Sequence, residues 1–164
     1  MSLLPEPDAP VYVAGHRGLA GSAIWRELRS RGFENLIGWS ASELDLRDAT
    51  ATMAAIQSVR PAVVIMAAAR VGGIQANSDD PVHFLNDNLR IQTNVFSAAH
   101  AADVDRLLFL GSSCIYPKLA PQPIPESALL TGPLESTNRA YALAQIAGIV
   151  AVQSYRAPHR RRWL

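Results

Sequence analysis

Apolar residues recur at two different spacings along this chain, and the switches between them mark strands and helices in turn. Val11-Tyr12-Val13-Ala14 is a continuous apolar run stopped by Gly15, too short to nucleate a helix and suited to a strand buried on both faces. From Leu19 to Arg31, Ile24 and Leu28 recur at helical spacing among polar residues, and Gly32 supplies the stop. Asn35 to Trp39 predicts a second strand, Leu46 to Val59 a helix, and Ala62 to Ala67 a fully buried third strand. Pro81 opens a long helix that runs to about Ala102. On it Leu85, Leu89, Phe96 and Ala99 form one apolar stripe, and Ile91, Val95, Ala98 and Ala102 a second. Two stripes cover about half the circumference, more than the ~100° that one sheet requires, so a face is left for something else. Arg106 to Gly111 predicts strand four, a proline-broken loop runs from Pro117 to Pro133, and a last helix spans Asn138 to Tyr155.

Strands alternating with helices predict a doubly wound α/β fold, a parallel Rossmann sheet with helices on both faces, because right-handed crossovers put them there. The expected order of the four strands is 3-2-1-4, within a domain spanning 11–155. Residues 1–10 read as an extension and 156–164 as a basic tail, so strand four is expected to be left as an unpaired edge.

Composition narrows the setting. A length of 164 residues with 49% hydrophobic side chains suffices for one core. No apolar run approaches the roughly 20 residues needed to span a bilayer, and Met1 to Pro10 is acidic and proline-broken, so neither membrane insertion nor export is expected. The single cysteine, Cys114, has no internal disulfide partner, which points to a cytosolic protein. Formal charge is +1, yet Arg156, Arg160, Arg161 and Arg162 crowd the C-terminus and leave a mildly acidic body. Nucleic-acid binding, which spreads cations over a folded face, is not expected.

Gly15-His16-Arg17-Gly18-Leu19-Ala20-Gly21 lies between strand one and its helix. In that place the glycines permit a tight turn, close approach of a pyrophosphate and close helix packing, with the anion at a helix N-terminus. The segment after strand two, Ala41-Ser42-Glu43-Leu44-Asp45-Leu46, is the expected adenosine side. Trp39-Ser40-Ala41-Ser42 offers no acidic residue for the ribose hydroxyls, whereas Arg17, with Ser40 or Ser42, suits a 2′-phosphate. This favours NADP(H), although Arg17 also reads as a solvated side chain. Asp45 is placed either to accept from the adenine amino group or to cap the helix beginning nearby.

Leu110-Gly111-Ser112-Ser113-Cys114 follows strand four at its carboxyl end, where open α/β sheets bind ligands. Tyr141 and Gln145, four apart, share one helix face and are expected to look toward a nicotinamide. A tyrosine with a lysine at that spacing donates a proton in carbonyl reduction, because the cation lowers the phenol pKa. Gln145 supplies no cation. Cys114 by itself reads as a small buried hydrophobe.

Ala14-Gly15-His16-Arg17-Gly18, Ala67-Ala68-Ala69-Arg70-Val71-Gly72-Gly73-Ile74 and Leu108-Phe109-Leu110-Gly111-Ser112-Ser113-Cys114-Ile115-Tyr116-Pro117-Lys118-Leu119-Ala120 resemble the extended short-chain dehydrogenase/reductases, in particular their epimerase-reductase branch acting on GDP-4-keto-6-deoxy-mannose. The likeness runs from about Val11 to Tyr155. It implies NADPH as cofactor and a GDP-sugar substrate. It also implies Ser112 bonding the keto oxygen, Tyr141 protonating it and Cys114 acting as the base of epimerisation. Helices 81–102 and 138–155 are implied to pair across a two-fold axis in a homodimer. The family has lysine where this chain has Gln145, and it continues into a substrate domain that supplies a histidine acid. The chain is therefore expected to be a truncated, impaired form, its tail the product of a truncated or frame-shifted coding sequence.

Overall fold

The fold follows from where the chain hides its apolar runs. The computed structural model describes residues 5–159 and 161–164. In chain order it has β1 (Val11–Ala14), α1 (Leu19–Ser30), β2 (Leu36–Ile37), α2 (Ala49–Val59), β3 (Val63–Met66), α3 (Ile74–Asp79), α4 (Pro81–Ala101), β4 (Arg106–Phe109), α5 (Arg139–His159) and β5 (Arg162–Trp163). The strands form one parallel sheet in the order β2-β1-β3-β4-β5. All eight residues of β1 and β3 are buried. Such runs need neighbours on both edges and cover on both faces, which only central strands have.

This corrects the expected order 3-2-1-4: the chain leaves β1 for β2 on one side and then returns across β1 to place β3 on the other. The half-buried, two-residue β2 is one edge, and β5 the other. Direction therefore reverses between β1 and β3, and the crevice beyond their carboxyl ends is the topological switch point where such sheets bind ligands.

Alternation along β1 sorts the core. Val11 and Val13 pack with Leu28, Phe33, Val63 and Ile65 beneath α1. Tyr12 and Ala14 face Ile56, Val95, Phe96 and Val152 from α2, α4 and α5. Helix α4 packs against both α2 and α5, so part of the apolar arc expected to await another partner is used within the chain. Gln92 crosses to α5, donating to the Ala144 carbonyl at 2.8 Å, and Asn94 donates to the Leu46 carbonyl at 2.9 Å.

The expected unrelated tail is part of the sheet. Helix α5 continues to His159, and Arg162–Trp163 pairs in parallel with Arg106 and Leu107 of β4, so β4 is not an edge. Arg161 pairs with Asp103 at 2.7 Å, and Arg162 with Asp105. Two of the arginines that crowd the C-terminus are thus paired with acids preceding β4, which a count of charges along the chain does not register.

His100, at the end of α4, packs its ring 4.5 Å from His159 and 5.1 Å from Tyr155, centroid to centroid. Its Nδ1 is buried without a partner. Burial, then the charges of His159 and Arg161, hold its pKa below the ordinary value, while Asp103 works the other way. The folded state therefore favours the neutral ring. Its contribution to stability is present above the ordinary histidine value and is lost as pH falls through the folded one. Melting temperature is expected to drop between about pH 7 and pH 5, and His100→Asn is expected to flatten that slope. An unchanged slope in the variant would assign the dependence to other groups.

Candidate active site

Beyond the carboxyl ends of β1 and β3 lies a cleft of about 730 Å³. The glycine loop forms one wall. Gly15 sits at φ +81°, and a Cβ there would stand 2.8 Å from the Ala67 backbone, so only glycine lets the loop lie against the end of β3. At Gly21 a Cβ would come within 2.1 Å of the Gly15 carbonyl oxygen. The start of α1 can therefore close on the loop only without a side chain. Gly21→Ala is expected to cost about 1–3 kcal/mol by overpacking, and more if the loop cannot move. Urea denaturation reads that cost, and a wild-type midpoint would show that the loop yields freely.

Of the residues expected to contact a cofactor, Gly15, Gly18, Leu19, Ala20, Ala41, Leu44, Asp45, Leu46, Leu110, Gly111, Tyr141 and Gln145 line this cleft. His16, Arg17, Gly21, Ser42, Glu43, Ser112 and Ser113 are not in that lining. The His16 ring instead packs 5.1 Å from Trp25 behind the loop. Leu19, 96% exposed, stands bare at the N-terminus of α1 against the cleft. Trp39, Arg47, Arg70 and Asp87 line it without having been singled out from sequence, because folding rather than chain position brings them there.

Glu43, just past the Trp39–Ser42 stretch, brings a carboxylate into the loop after β2. A tight turn, with Glu43 N–H donating to the Ser40 carbonyl, folds the Glu43 carboxylate back toward the strand. It accepts from the Ser40 N–H at 2.7 Å and from the Ser40 hydroxyl at 2.6 Å. Those bonds, helped by the charges of Arg17 and His16, hold Glu43 below the usual carboxylate range. The Ser40 hydroxyl lies 3.0 Å from that of Ser42, so both serines belong to this turn. Arg17 is exposed, and among the described residues no hydrogen bond or ion pair engages its guanidinium. Asp45 does not cap α2. Asp48 does, accepting from Ala51 N–H at 2.9 Å, while Asp45 binds Arg47.

Past the end of β4, Ser112 precedes the single helical turn Ser113–Ile115, which holds Cys114 and packs on α5. Burial raises the Tyr141 phenol above its ordinary value, and the nearby Cys114 adds to the rise. Hydrogen bonding with the Ser112 side chain works against both. Ser112, Cys114 and Tyr141 therefore act on one another, and no cation is among the groups that shift the phenol.

One turn along α5, Gln145 is 2% exposed, and its Oε1 is buried with no partner. An orphaned polar atom facing a cleft walled by glycine backbone is what a ligand carrying hydroxyls and phosphates would satisfy. The residues present therefore fit a dinucleotide. Tyr141 and Gln145 would stand at its nicotinamide end, and residues 44–47 at its adenosine end.

The model of the NAD dependent epimerase/dehydratase family matches residues 11–163. The chain belongs to this family. The match includes the segment expected to be unrelated to it. GDP-L-fucose synthase 1 of Arabidopsis thaliana is 54% identical over 159 residues, covering 97% of this chain and 49% of the relative. GDP-L-fucose synthase of Escherichia coli K12 is 51% identical over 151 residues, covering 92% and 47%. A GDP-L-fucose synthetase from Naegleria fowleri bound to NADP superposes with a TM-score of 0.86 at 27% identity, covering 98% of this chain and 52% of that one. A GDP-D-glycero-L-gluco-heptose synthase from Campylobacter jejuni, solved with NADPH, gives 0.95 at 32% identity, covering 98% and 47%. This epimerase-family chain thus spans about half the length of the relatives it matches.

Proposed function

We propose that the chain is the cofactor-binding half of a GDP-L-fucose synthase-like epimerase-reductase, acting on GDP-4-keto-6-deoxy-mannose with NADP(H). What supports this is Tyr141 at one end of the switch-point cleft, with Ser112 and Cys114 near enough to bear on its phenol. NADPH, when bound, supplies the hydride that reduces the keto carbon. Ser112 bonds the keto oxygen, and Tyr141 passes its phenolic proton to that oxygen. Cys114 removes the carbonyl-activated C–H protons during epimerisation. Gln145 takes a ribose hydroxyl with its free Oε1, and Gly15 and Gly18 admit the pyrophosphate. Arg17, the unengaged cation beside the Glu43 turn, faces the 2′-phosphate. The unpaired Cys114 suits a cytosolic setting.

Calorimetry is the test of this cofactor reading. NADPH is expected to bind more tightly than NADH, with Arg17→Ala erasing the difference. Equal affinity of the wild type for both would remove Arg17 from the argument, and binding of neither would remove the cofactor reading itself.

A second reading, a non-catalytic dinucleotide-binding or dimerising module, is favoured by the buried, uncharged Gln145 one turn from Tyr141, which offers the phenol no cation. In either reading we propose a homodimer through α4 and α5. Leu143 and Val150 of α5 are 44% and 48% exposed, and Leu143 shares a groove with Leu85 of α4. Ultracentrifugation is expected to give a dimer at micromolar concentration, and a monomer there would reject this surface as the contact.

A further inference from the structure

The adenosine end of the cleft carries an ion-paired clasp. Arg47, from the loop after β2, donates through Nε to Asp45 Oδ1 at 2.9 Å and through a terminal nitrogen to Asp45 Oδ2 at 2.8 Å. Its other terminal nitrogen donates to Asp87 Oδ2 on α4 at 3.4 Å. The same Asp87 oxygen accepts from Arg70, in the loop after β3, at 3.2 Å. All four residues line the cleft.

The Asp87 side chain is only 7% exposed, so the anion that joins the two loops is fixed in the body of the molecule. Arg70 is held independently. Its backbone exchanges two hydrogen bonds with the Asn88 side chain, its guanidinium also pairs with Asp80 at 3.1 Å, and it lies 5.4 Å from the centroid of the Phe84 ring.

Charge decides what such a site can take. Two guanidiniums meet three carboxylates, Asp45, Asp80 and Asp87, so the clasp has no net positive charge with which to hold a phosphate. What Arg47 retains is geometry. Each of its three nitrogens donates to a carboxylate oxygen, which occupies the guanidinium edge and fixes its orientation. A planar cation held by its edge, 46% exposed at a cleft wall beside Leu44 and Leu46, suits a flat aromatic ring.

We infer that Arg47 is a binding residue for the adenine ring, which stacks on its guanidinium, and that Asp45 and Asp87 are positioning residues that hold it there. This rests on the cofactor reading above and assigns the base-recognition contact within it. Asp45 then serves adenine through Arg47, and the clasp ties the β2 and β3 loops to α4 on either side of the base.

The test is calorimetric titration of the full chain with NADPH and with 2′,5′-ADP, and displacement of NADPH by inorganic pyrophosphate. Arg47→Lys keeps the charge and removes the planar face. It is expected to weaken both adenine ligands about five- to tenfold while leaving the pyrophosphate constant unchanged. Asp87→Asn is expected to weaken them in the wild-type background and to have no further effect in the Arg47→Lys background, a coupling that a merely structural role would not produce. Thermal melts of each variant confirm folding, and Arg47, on an exposed loop, tests the inference even if Asp87→Asn does not fold. Unchanged affinity of Arg47→Lys for 2′,5′-ADP would overturn the stacking contact, as would an equal loss for pyrophosphate. A wild type that binds neither NADPH nor NADH would instead overturn the cofactor reading, and the stacking contact with it.

Discussion

Trp163→Ala is expected to destabilise the chain by about 3–5 kcal/mol, the range for emptying a large aromatic site in a core. Trp163 is fully buried, its ring lies 4.7 Å from that of Tyr155 and 6.1 Å from that of Phe96, and Nε1 donates to the Val104 carbonyl at 3.0 Å. Truncation leaves a cavity between α4, α5 and the sheet and strands that buried carbonyl, which adds about 1–3 kcal/mol. Backbone pairing adds cooperativity, since Leu164 N–H donates to the Leu107 carbonyl at 2.8 Å and Phe109 N–H to the Leu164 carbonyl at 2.7 Å. Domain stabilities are typically only about 5–15 kcal/mol, so the variant is expected to be largely unfolded at 37 °C. Trp163→Phe keeps the packing, loses the hydrogen bond, and is expected to cost about 1–3 kcal/mol. Urea denaturation followed by circular dichroism reads both values without relying on tryptophan emission. A Trp163→Ala midpoint equal to wild type would mean that β5 lies outside the cooperative fold.

The second large effect concerns turnover. The chain alone is expected not to oxidise NADPH with GDP-4-keto-6-deoxy-mannose at a useful rate, and Gln145→Lys alone is expected not to rescue it. Burial and Cys114 raise the Tyr141 phenol, only Ser112 opposes them, and a lysine at 145 would supply the missing cation one turn away. General acid-base assistance of this kind is worth about 10²- to 10⁴-fold in rate. Substrate positioning can contribute roughly 7–11 kcal/mol, and in the relatives this chain corresponds to only about half of the molecule. Positioning is therefore the larger of the two terms. NADPH oxidation would be followed for wild type and Gln145→Lys, each with and without a separately expressed C-terminal half from a related enzyme. Turnover is expected only when the lysine and the added half are present together. Turnover by the unmodified chain alone would overturn this reading, and rescue by the added half without the lysine would show that the amide suffices.

Local patterning already carried the elements. Continuous apolar runs gave β1 and β3, 3.6-residue spacing gave α1, α4 and α5 to within a few residues, and the strand-glycine-helix context placed the loop on the cleft. The positions of Ser112 after β4 and of Tyr141 on α5 were legible because their motifs adjoin those elements. The six-residue α3 was not, being too short to show a period.

What the sequence by itself determined is the class of fold and the glycine loop, each encoded within a few neighbouring residues. Only the tertiary structure decided the strand order, the place of the C-terminal residues and the chemistry at the adenosine end. Whether β3 lies beside β1 or beyond β2 depends on which strand needs cover on both faces, a property of the assembled sheet. Arg162–Trp163 becomes a strand only because β4 offers an edge and Asp103 and Asp105 offer charges some 57 residues or more earlier in the chain. Arg47, Arg70 and Asp87 meet because α4 carries a buried carboxylate past two loops, and long-range pairing of that kind leaves no period or motif in the sequence to read.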